Sequence, residues 1–257
     1  MTVTRRRPEL LTEAVEGVMA QCCEHVAEHL VVIDDCPQTA DFLRTVAAGA
    51  VRAVPIARSP QEVSGPARLA KLRNVGAQLA RADWICYLDD DNAWTPDHLH
   101  TLLETAQATG SPAVYSWQQV VHSNRAPYLE QRYPWARSDE EGRAMYRKLL
   151  ARGVVTVGSN VYRDVADDQR AAGAVRMTDA GEWLLRTDLV RTLGFCEKYS
   201  DQELARLIGE DDKLLDSLID AGVPIACSRR PTLIYRLGGF SNTVEDRIEA
   251  ACPGDSQ

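Results

Sequence analysis

Trp84-Ile85-Cys86-Tyr87-Leu88-Asp89-Asp90-Asp91-Asn92 runs five mostly apolar residues straight into three carboxylates. A run this short, apolar and aromatic-rich reads as a buried strand over Trp84–Leu88. Three adjacent acids at a strand's end repel one another, so a cation or solvent must offset their charge. The carboxyl end of a central strand is where an open α/β sheet holds ligands. Asp89-x-Asp91 there would suit a divalent metal and the phosphates bound to it. A solvated acidic turn is the plainer reading, because Asp and Asn favour bends. The strand-end position and the apolar run before it favour the functional one.

Upstream, Leu30-Val31-Val32-Ile33 is a second apolar run ending in acids, Asp34-Asp35. A carboxylate there can accept hydrogen bonds from a ribose or base. Val51–Ile56 reads as a third strand. Pro8-Glu9-Leu10-Leu11 opens a helix, with Pro in the first turn and helical apolar spacing to about Ala27. Ala67–Ala80 is a helix carrying Arg68, Lys71 and Arg73. Pro96 to about Ala108 is the next helix, and Ala113–Val121 a strand. Strands alternating with helices over the first 120 residues predict a βαβ sheet. Further on, the pattern predicts helices over Glu140–Leu150, Asp188–Leu193 and Glu210–Ala221. Short strands are expected over Glu182–Leu185, Ile225–Cys227 and Thr232–Tyr235. Only Met1–Thr4 precede the first helix, so the first strand reads as cut short, and a misassigned start codon would explain it.

The chain has 257 residues, of which 45% are hydrophobic, enough for one large α/β domain or two fused halves around one core. Its net charge of −8 argues against a nucleic-acid binder that relies on bulk electrostatics. No apolar run approaches the roughly 20 residues of a bilayer span. The seven cysteines form no CxxC pair, and a reduced cytoplasm is their simplest setting. The five histidines make no metal-ligand spacing with Cys or Glu and read as surface or structural.

Two further groups could carry chemistry. Arg73-Asn74 lies on the helix before the acidic strand, and the guanidinium fork suits phosphate or base. A solvated helix face is the alternative. Glu210-Asp211-Asp212 opens a helix, whose N-terminus stabilises acids by itself. One of these carboxylates could instead act as a general base toward an acceptor hydroxyl.

In this order the segments resemble the inverting GT-A glycosyltransferases of glycosyltransferase family 2, from about residue 3 to 240. Thr4-Arg5-Arg6-Arg7-Pro8-Glu9-Leu10-Leu11 is similar to the family's first strand-to-helix junction. Val31-Val32-Ile33-Asp34-Asp35 resembles its nucleotide-binding strand end, and Leu72-Arg73-Asn74-Val75-Gly76 its A-R-N-x-G helix. Tyr87–Asn92 with Pro96 looks like its DXD segment. Gly209-Glu210-Asp211 with Leu214 and Gly222 looks like its E-D helix. Arg5 and Arg6 stand where the family usually has Tyr-Asn. Gly238-Gly239-Phe240-Ser241-Asn242 offers none of the histidine that often serves as a late metal ligand.

The resemblance implies a single α/β domain of the GT-A type, a Rossmann-like mixed sheet flanked by helices over residues 1–243. About 1–95 would bind the nucleotide-sugar and about 96–243 the acceptor, leaving 244–257 as a polar tail. It implies Thr4, Asp35 and Arg73 near the donor nucleotide, and Asp90 near the ribose or sugar. Asp91 and Asp89 become ligands of Mn²⁺ or Mg²⁺. Asp211 becomes the catalytic base, with Glu210 beside it and Asp179 on the floor of the sugar pocket. The partners implied are a nucleotide-sugar donor, UDP-linked by default, and a small-molecule or glycan acceptor. Two other classes compete. A sugar-1-phosphate nucleotidylyltransferase would want a Gly-rich loop after the first strand, and Thr2–Pro8 has none. A non-catalytic nucleotide- or glycan-binding relative would not need both the DXD acids and Asp211.

Overall fold

The computed structural model describes residues 1–22, 26–46, 51–59, 61–62, 65–166 and 176–239. Thr2–Thr4 (β1) pairs in parallel with Leu30–Asp34 (β2), and β2 in parallel with Arg52–Ile56 (β3). Parallel neighbours need crossovers, and helices supply them. Pro8–Met19 (α1) links β1 to β2, Pro37–Val46 (α2) links β2 to β3, and Pro66–Leu79 (α3) follows β3. All five residues of β2 are buried, as expected of a strand covered on both faces.

Next come Trp84–Cys86 (β4), Ala93–Trp94 (β5), His98–Thr109 (α4), Ala113–Val121 (β6), Asp139–Ala151 (α5) and Val161–Tyr162 (β7). A 3₁₀ turn at Ala180–Glu182 leads into Trp183–Arg186 (β8), Thr187–Leu193 (α6), Asp201–Ala205 (α7), Glu210–Asp220 (α8) and Ile225–Arg236 (β9). The second sheet runs β4-β8-β6-β9-β5, with β7 on β6. β8 is antiparallel to both neighbours, while β6 and β9 are parallel.

Met1 stitches the two sheets together. Its ammonium donates to the Cys86 carbonyl at 2.7 Å, and the Leu88 N–H donates to the Met1 carbonyl at 2.9 Å. β1 therefore lies beside the acidic strand segment. Gly76 of α3 makes room for this seam, because a Cβ there would lie 2.0 Å from Met1 Sδ. The main apolar core, with Tyr87, Trp183, Leu185, Phe195 and Leu214, fills the space between α3, α6, α8 and the sheet.

Several elements differ from the sequence reading. α1 stops at Met19 rather than near Ala27. Polar contacts capture the chain there: Gln21 Nε2 donates to the Thr95 carbonyl at 3.0 Å, and the Cys22 N–H donates to the Pro96 carbonyl at 2.9 Å. β4 covers Trp84–Cys86 only. Tyr87 and Leu88 are 1% exposed, but beyond Cys86 the register with β8 is finished. α4 starts at His98, whose buried ring stacks on Trp94 with centroids 4.5 Å apart. The two late strands are one, β9, which absorbs Pro231 where its register with β6 shifts. α2, β5, β7 and α7 are additional. The residues of the polar tail lie outside those described.

Candidate active site

The acidic turn after β4 is tied down residue by residue. Asp90 is buried, accepting from Thr4 Oγ1 at 2.7 Å and from Arg7 Nη1 at 3.3 Å. Burial, then the charge of Asp91, pushes its carboxyl up to about 7, against the opposing Thr4 and Arg7 contacts. Asp91 Oδ2 accepts from Arg7 Nη1 at 2.9 Å. Burial and Asp89 raise its pKa, and Arg7 opposes them. On its other side a Cβ on Gly239 would lie 2.2 Å from Asp91 Oδ2. Asn92 is structural: its Oδ1 accepts from the Arg236 N–H at 2.9 Å and holds the end of β9 against the turn.

Arg73 organises the next layer. Its side chain is 1% exposed. Nη2 donates to Asp89 Oδ1 at 2.7 Å and Nη1 donates to Glu210 Oε1. The guanidinium lies over the rings of Tyr87 and Phe195, 5.7 and 5.5 Å from their centroids. Burial alone would lower its pKa, but Glu210 and Asp89 outweigh burial and raise it. Arg68 is buried too, with Nε and Nη2 on Asp34 Oδ1 at 2.9 and 2.7 Å. The basic face of α3 is thus an internal one at these two positions.

Glu210 and Asp211 open α8. Asp211 Oδ1 accepts from the Asp212 N–H at 2.9 Å, and the Gly209 N–H donates to Asp212 Oδ2 at 2.9 Å. A helix N-terminus favours the charged carboxylate. Burial acts in the other direction, followed by the charges of Glu210, Asp212 and Asp179, so Asp211 is held well above the ordinary carboxylate range. Asp179 caps the 3₁₀ turn, its Oδ1 accepting from the Gly181 N–H at 2.7 Å. Burial and the charge of Asp89 raise it, with the Gly181 N–H and Arg73 opposing. Its own N–H donates at 2.7 Å to Glu182 Oε2, a fully buried carboxyl facing Asp164.

Asp89, Asp179, Glu210 and Asp211 therefore converge around one buried guanidinium, with Asp90 and Asp91 on the same turn as Asp89. Thr4 reaches this network through Asp90. Asp35 stands apart, at the end of β2 and across β1 from the turn. It is exposed, with φ of 47°, while its neighbour Asp34 is buried and held by Arg58 and Arg68.

Residues 1–169 match the family model described as "Glycosyl transferase family 2". The chain belongs to glycosyl transferase family 2. Among curated relatives, the succinoglycan biosynthesis protein ExoW of Rhizobium meliloti (strain 1021) is 37% identical over 97 residues, covering 37% of this chain and 29% of that protein. ExoO of the same strain is 34% identical over 103 residues, covering 40% of this chain and 28% of ExoO. The matches thus span under a third of either relative's length. In three dimensions the chain shares its fold with S. aureus TarS 1–349 in complex with UDP, at a TM-score of 0.56 and 15% identity, over 97% of this chain and 62% of that one. The complex of the same TarS fragment with UDP-GlcNAc gives a TM-score of 0.56 at 14% identity, over 97% and 63%. The fold of this family 2 member is GT-A, as the motif order implies.

A divalent cation can be tested against the donor set. Among the described residues no group of three or more His, Cys, Asp or Glu side chains could hold a metal. The turn offers two hard carboxylates, Asp89 and Asp91, with side chains 30% and 16% exposed. That set fits Mg²⁺ or Mn²⁺, which bind through one or two carboxylates and take their remaining oxygens from phosphates and water. It does not fit an all-protein cage.

The aromatic residues divide. Trp183 is fully buried in the core, its ring 5.4 Å from that of Tyr115. Tyr133 and Trp135 are half-buried and pack on each other at 5.0 Å, with Trp135 Nε1 donating to the Tyr235 hydroxyl at 3.2 Å. Tyr235 also feels the charges of Asp179, Asp91 and Asp89, so it borders the acidic cluster. Sequence reasoning gave no role to Tyr235, Gly239 or Arg7. Arg7 had one usable signal: a cation at a helix start whose strand runs alongside three acids. Of the histidines, His98 and His29 are buried and structural, hydrogen-bonded to Thr232 Oγ1 at 2.8 Å and Thr2 Oγ1 at 2.9 Å. Among the described residues no helix is long and apolar enough to cross a membrane.

Proposed function

We propose that this chain transfers a glycosyl group from a nucleoside-diphosphate sugar, UDP-linked, to an acceptor hydroxyl, with inversion at the anomeric carbon. The observation that carries the reading is the convergence of Asp89, Asp179 and Asp211 around Arg73, from four separate segments of the chain. The TarS complexes with UDP and UDP-GlcNAc support a uridine nucleotide as donor on the shared fold. The similarity to ExoW and ExoO, both named for succinoglycan biosynthesis, supports a glycan among the small-molecule or glycan acceptors.

Asp211 serves as the base. The acceptor oxygen attacks the anomeric carbon from the face opposite the diphosphate. As that bond forms, the sugar–phosphate C–O bond breaks, its electron pair leaves with the diphosphate, and the hydroxyl proton passes to the Asp211 carboxylate. Asp91 and Asp89 would hold a Mn²⁺ or Mg²⁺ ion, which would supply positive charge to the leaving diphosphate. Thr4 holds Asp90 in the turn, near the ribose or sugar, and Asp35 faces the base. Arg73 is read as a positioning residue, because both its arms are spent on Asp89 and Glu210. Asp179 lines the sugar side of Asp211 and sets its charge environment. The cytoplasm remains the proposed compartment.

Asp211→Asn tests the assignment. Transfer from the donor should fall by at least about a thousandfold while UDP still binds, since the change removes the proton acceptor and little else. Turnover within about tenfold of the parent would remove Asp211 as the base.

A further inference from the structure

Arg7 spans Asp90 and Asp91, yet no motif assigns it a task. Its Nη1 lies 2.9 Å from Asp91 Oδ2 and 3.3 Å from Asp90 Oδ1, on a side chain 30% exposed. The residue precedes Pro8, the first residue of α1, and proline restricts the backbone of its predecessor. On its other side the Asp91 carboxylate lies against Gly239, where a Cβ would come within 2.2 Å of Oδ2. A divalent ion seated on Asp91 would therefore meet a guanidinium on the same carboxylate edge.

We infer that Arg7 is the resident counter-cation of the Asp89-Asp90-Asp91 turn in the nucleotide-free chain, and that it couples cation binding to diphosphate binding. This rests on the proposed nucleotide-sugar site and adds an order to its filling. Without nucleotide, Arg7 satisfies Asp91 and opposes a second cation. A diphosphate offers charged oxygen acceptors that the planar guanidinium fork can pair with two at a time. Arg7 then turns from Asp91 to phosphate, and the carboxylate is released to the divalent ion. Coupling of this kind is reciprocal: nucleotide tightens the cation by the same factor as the cation tightens nucleotide.

The test is Mn²⁺ binding by the full chain, read from the EPR signal of free Mn²⁺ with and without UDP, after subtracting Mn²⁺ held by UDP alone. Wild type should bind Mn²⁺ at least about tenfold more tightly with UDP than without, within the usual range of coupling. Arg7→Gln should tighten UDP-free Mn²⁺ binding by about tenfold and shrink the coupling to match. Arg7→Lys keeps the charge and should keep most of the coupling, and it carries the test if the Gln variant does not fold. An unchanged or weaker UDP-free affinity in Arg7→Gln, with wild-type coupling intact, overturns the inference and leaves the nucleotide-sugar reading standing. Coupling lost in Arg7→Lys also overturns it, because charge would not be the cause. Wild type that takes up no Mn²⁺ even with UDP overturns both.

Discussion

Arg73 Nη2 donates to Asp89 Oδ1 at 2.7 Å from a side chain that is 1% exposed. Its other arm holds Glu210, 137 residues further along the chain. One buried side chain thus fixes the acidic strand end against the helix that carries the proposed base. Breaking a buried pair by removing one partner costs about 3–5 kcal/mol, because a charge is left without its complement. Arg73→Met is expected to destabilise the chain by that amount in urea unfolding. Arg73→Lys should recover only part of it, since one ammonium cannot span both acids in the fork geometry. Stability unchanged in Arg73→Met would mean that the pairing holds nothing together.

The acid limb of the rate profile should betray the environment of Asp211. A base works only when deprotonated, so activity must rise with pH through its pKa. Burial and three neighbouring carboxylates raise that pKa, Asp179 among them. The limb of kcat/KM is therefore expected above the ordinary carboxylate range of about 4. Asp179→Asn removes one negative neighbour and should move the limb to lower pH. A limb that stays in place would separate Asp179 from the base.

Stability should carry the mark of Asp90. Burial pushes its carboxyl up to about 7, from the ordinary aspartate value of 3.8. Across that window the folded state binds the proton more tightly than the unfolded state. The unfolding free energy accordingly falls as pH rises from about 4 to 7. Thermal melts without ligand should show this slope, and Asp90→Asn should flatten it. An equal slope in the variant would assign the effect to other buried acids.

Gly239 gives a narrower test. A Cβ there would approach Asp91 Oδ2 to 2.2 Å and Asp91 Cγ to 3.1 Å, so the carboxylate would have to shift. Gly239→Ala is expected to raise the donor KM by about tenfold while folding stability changes by less than about 1 kcal/mol. Steady-state kinetics paired with a urea midpoint checks both halves. An unaltered KM would free Asp91 from any dependence on this contact.

Much of the site was legible because its acids sit at the ends of strands and at the start of a helix. Asp34-Asp35 close β2 and Glu210-Asp211 open α8 where the local patterns place them, while Asp89-Asp91 follow the end of β4 only after Tyr87 and Leu88. What local pattern does not reveal is which charges are internal. Arg68 and Arg73 read as a helix face turned to ligand or to solvent, and both are buried. Their partners are distant in sequence: Asp34 lies 34 residues before Arg68, and Glu210 lies 137 residues after Arg73. The overrun of α1 has the same origin. Apolar spacing continued past Met19, but Gln21 and Cys22 are held by the loop around Thr95 and Pro96. The parallel seam through Met1 also follows from packing, since two hydrogen bonds there leave no mark on composition.

The central claim is that the Asp89–Asp91 turn receives a nucleoside diphosphate. A thermal-shift comparison of UDP, GDP and dTDP, each with Mn²⁺, on wild type and Asp91→Asn tests it most directly. A ligand at about 100 times its dissociation constant stabilises by about 2.7 kcal/mol, which is several degrees for a chain of this size. UDP with Mn²⁺ is expected to raise the wild-type midpoint by that much, and to raise the Asp91→Asn midpoint far less. No shift with any of the three in wild type, or an equal shift in the variant, would contradict the claim.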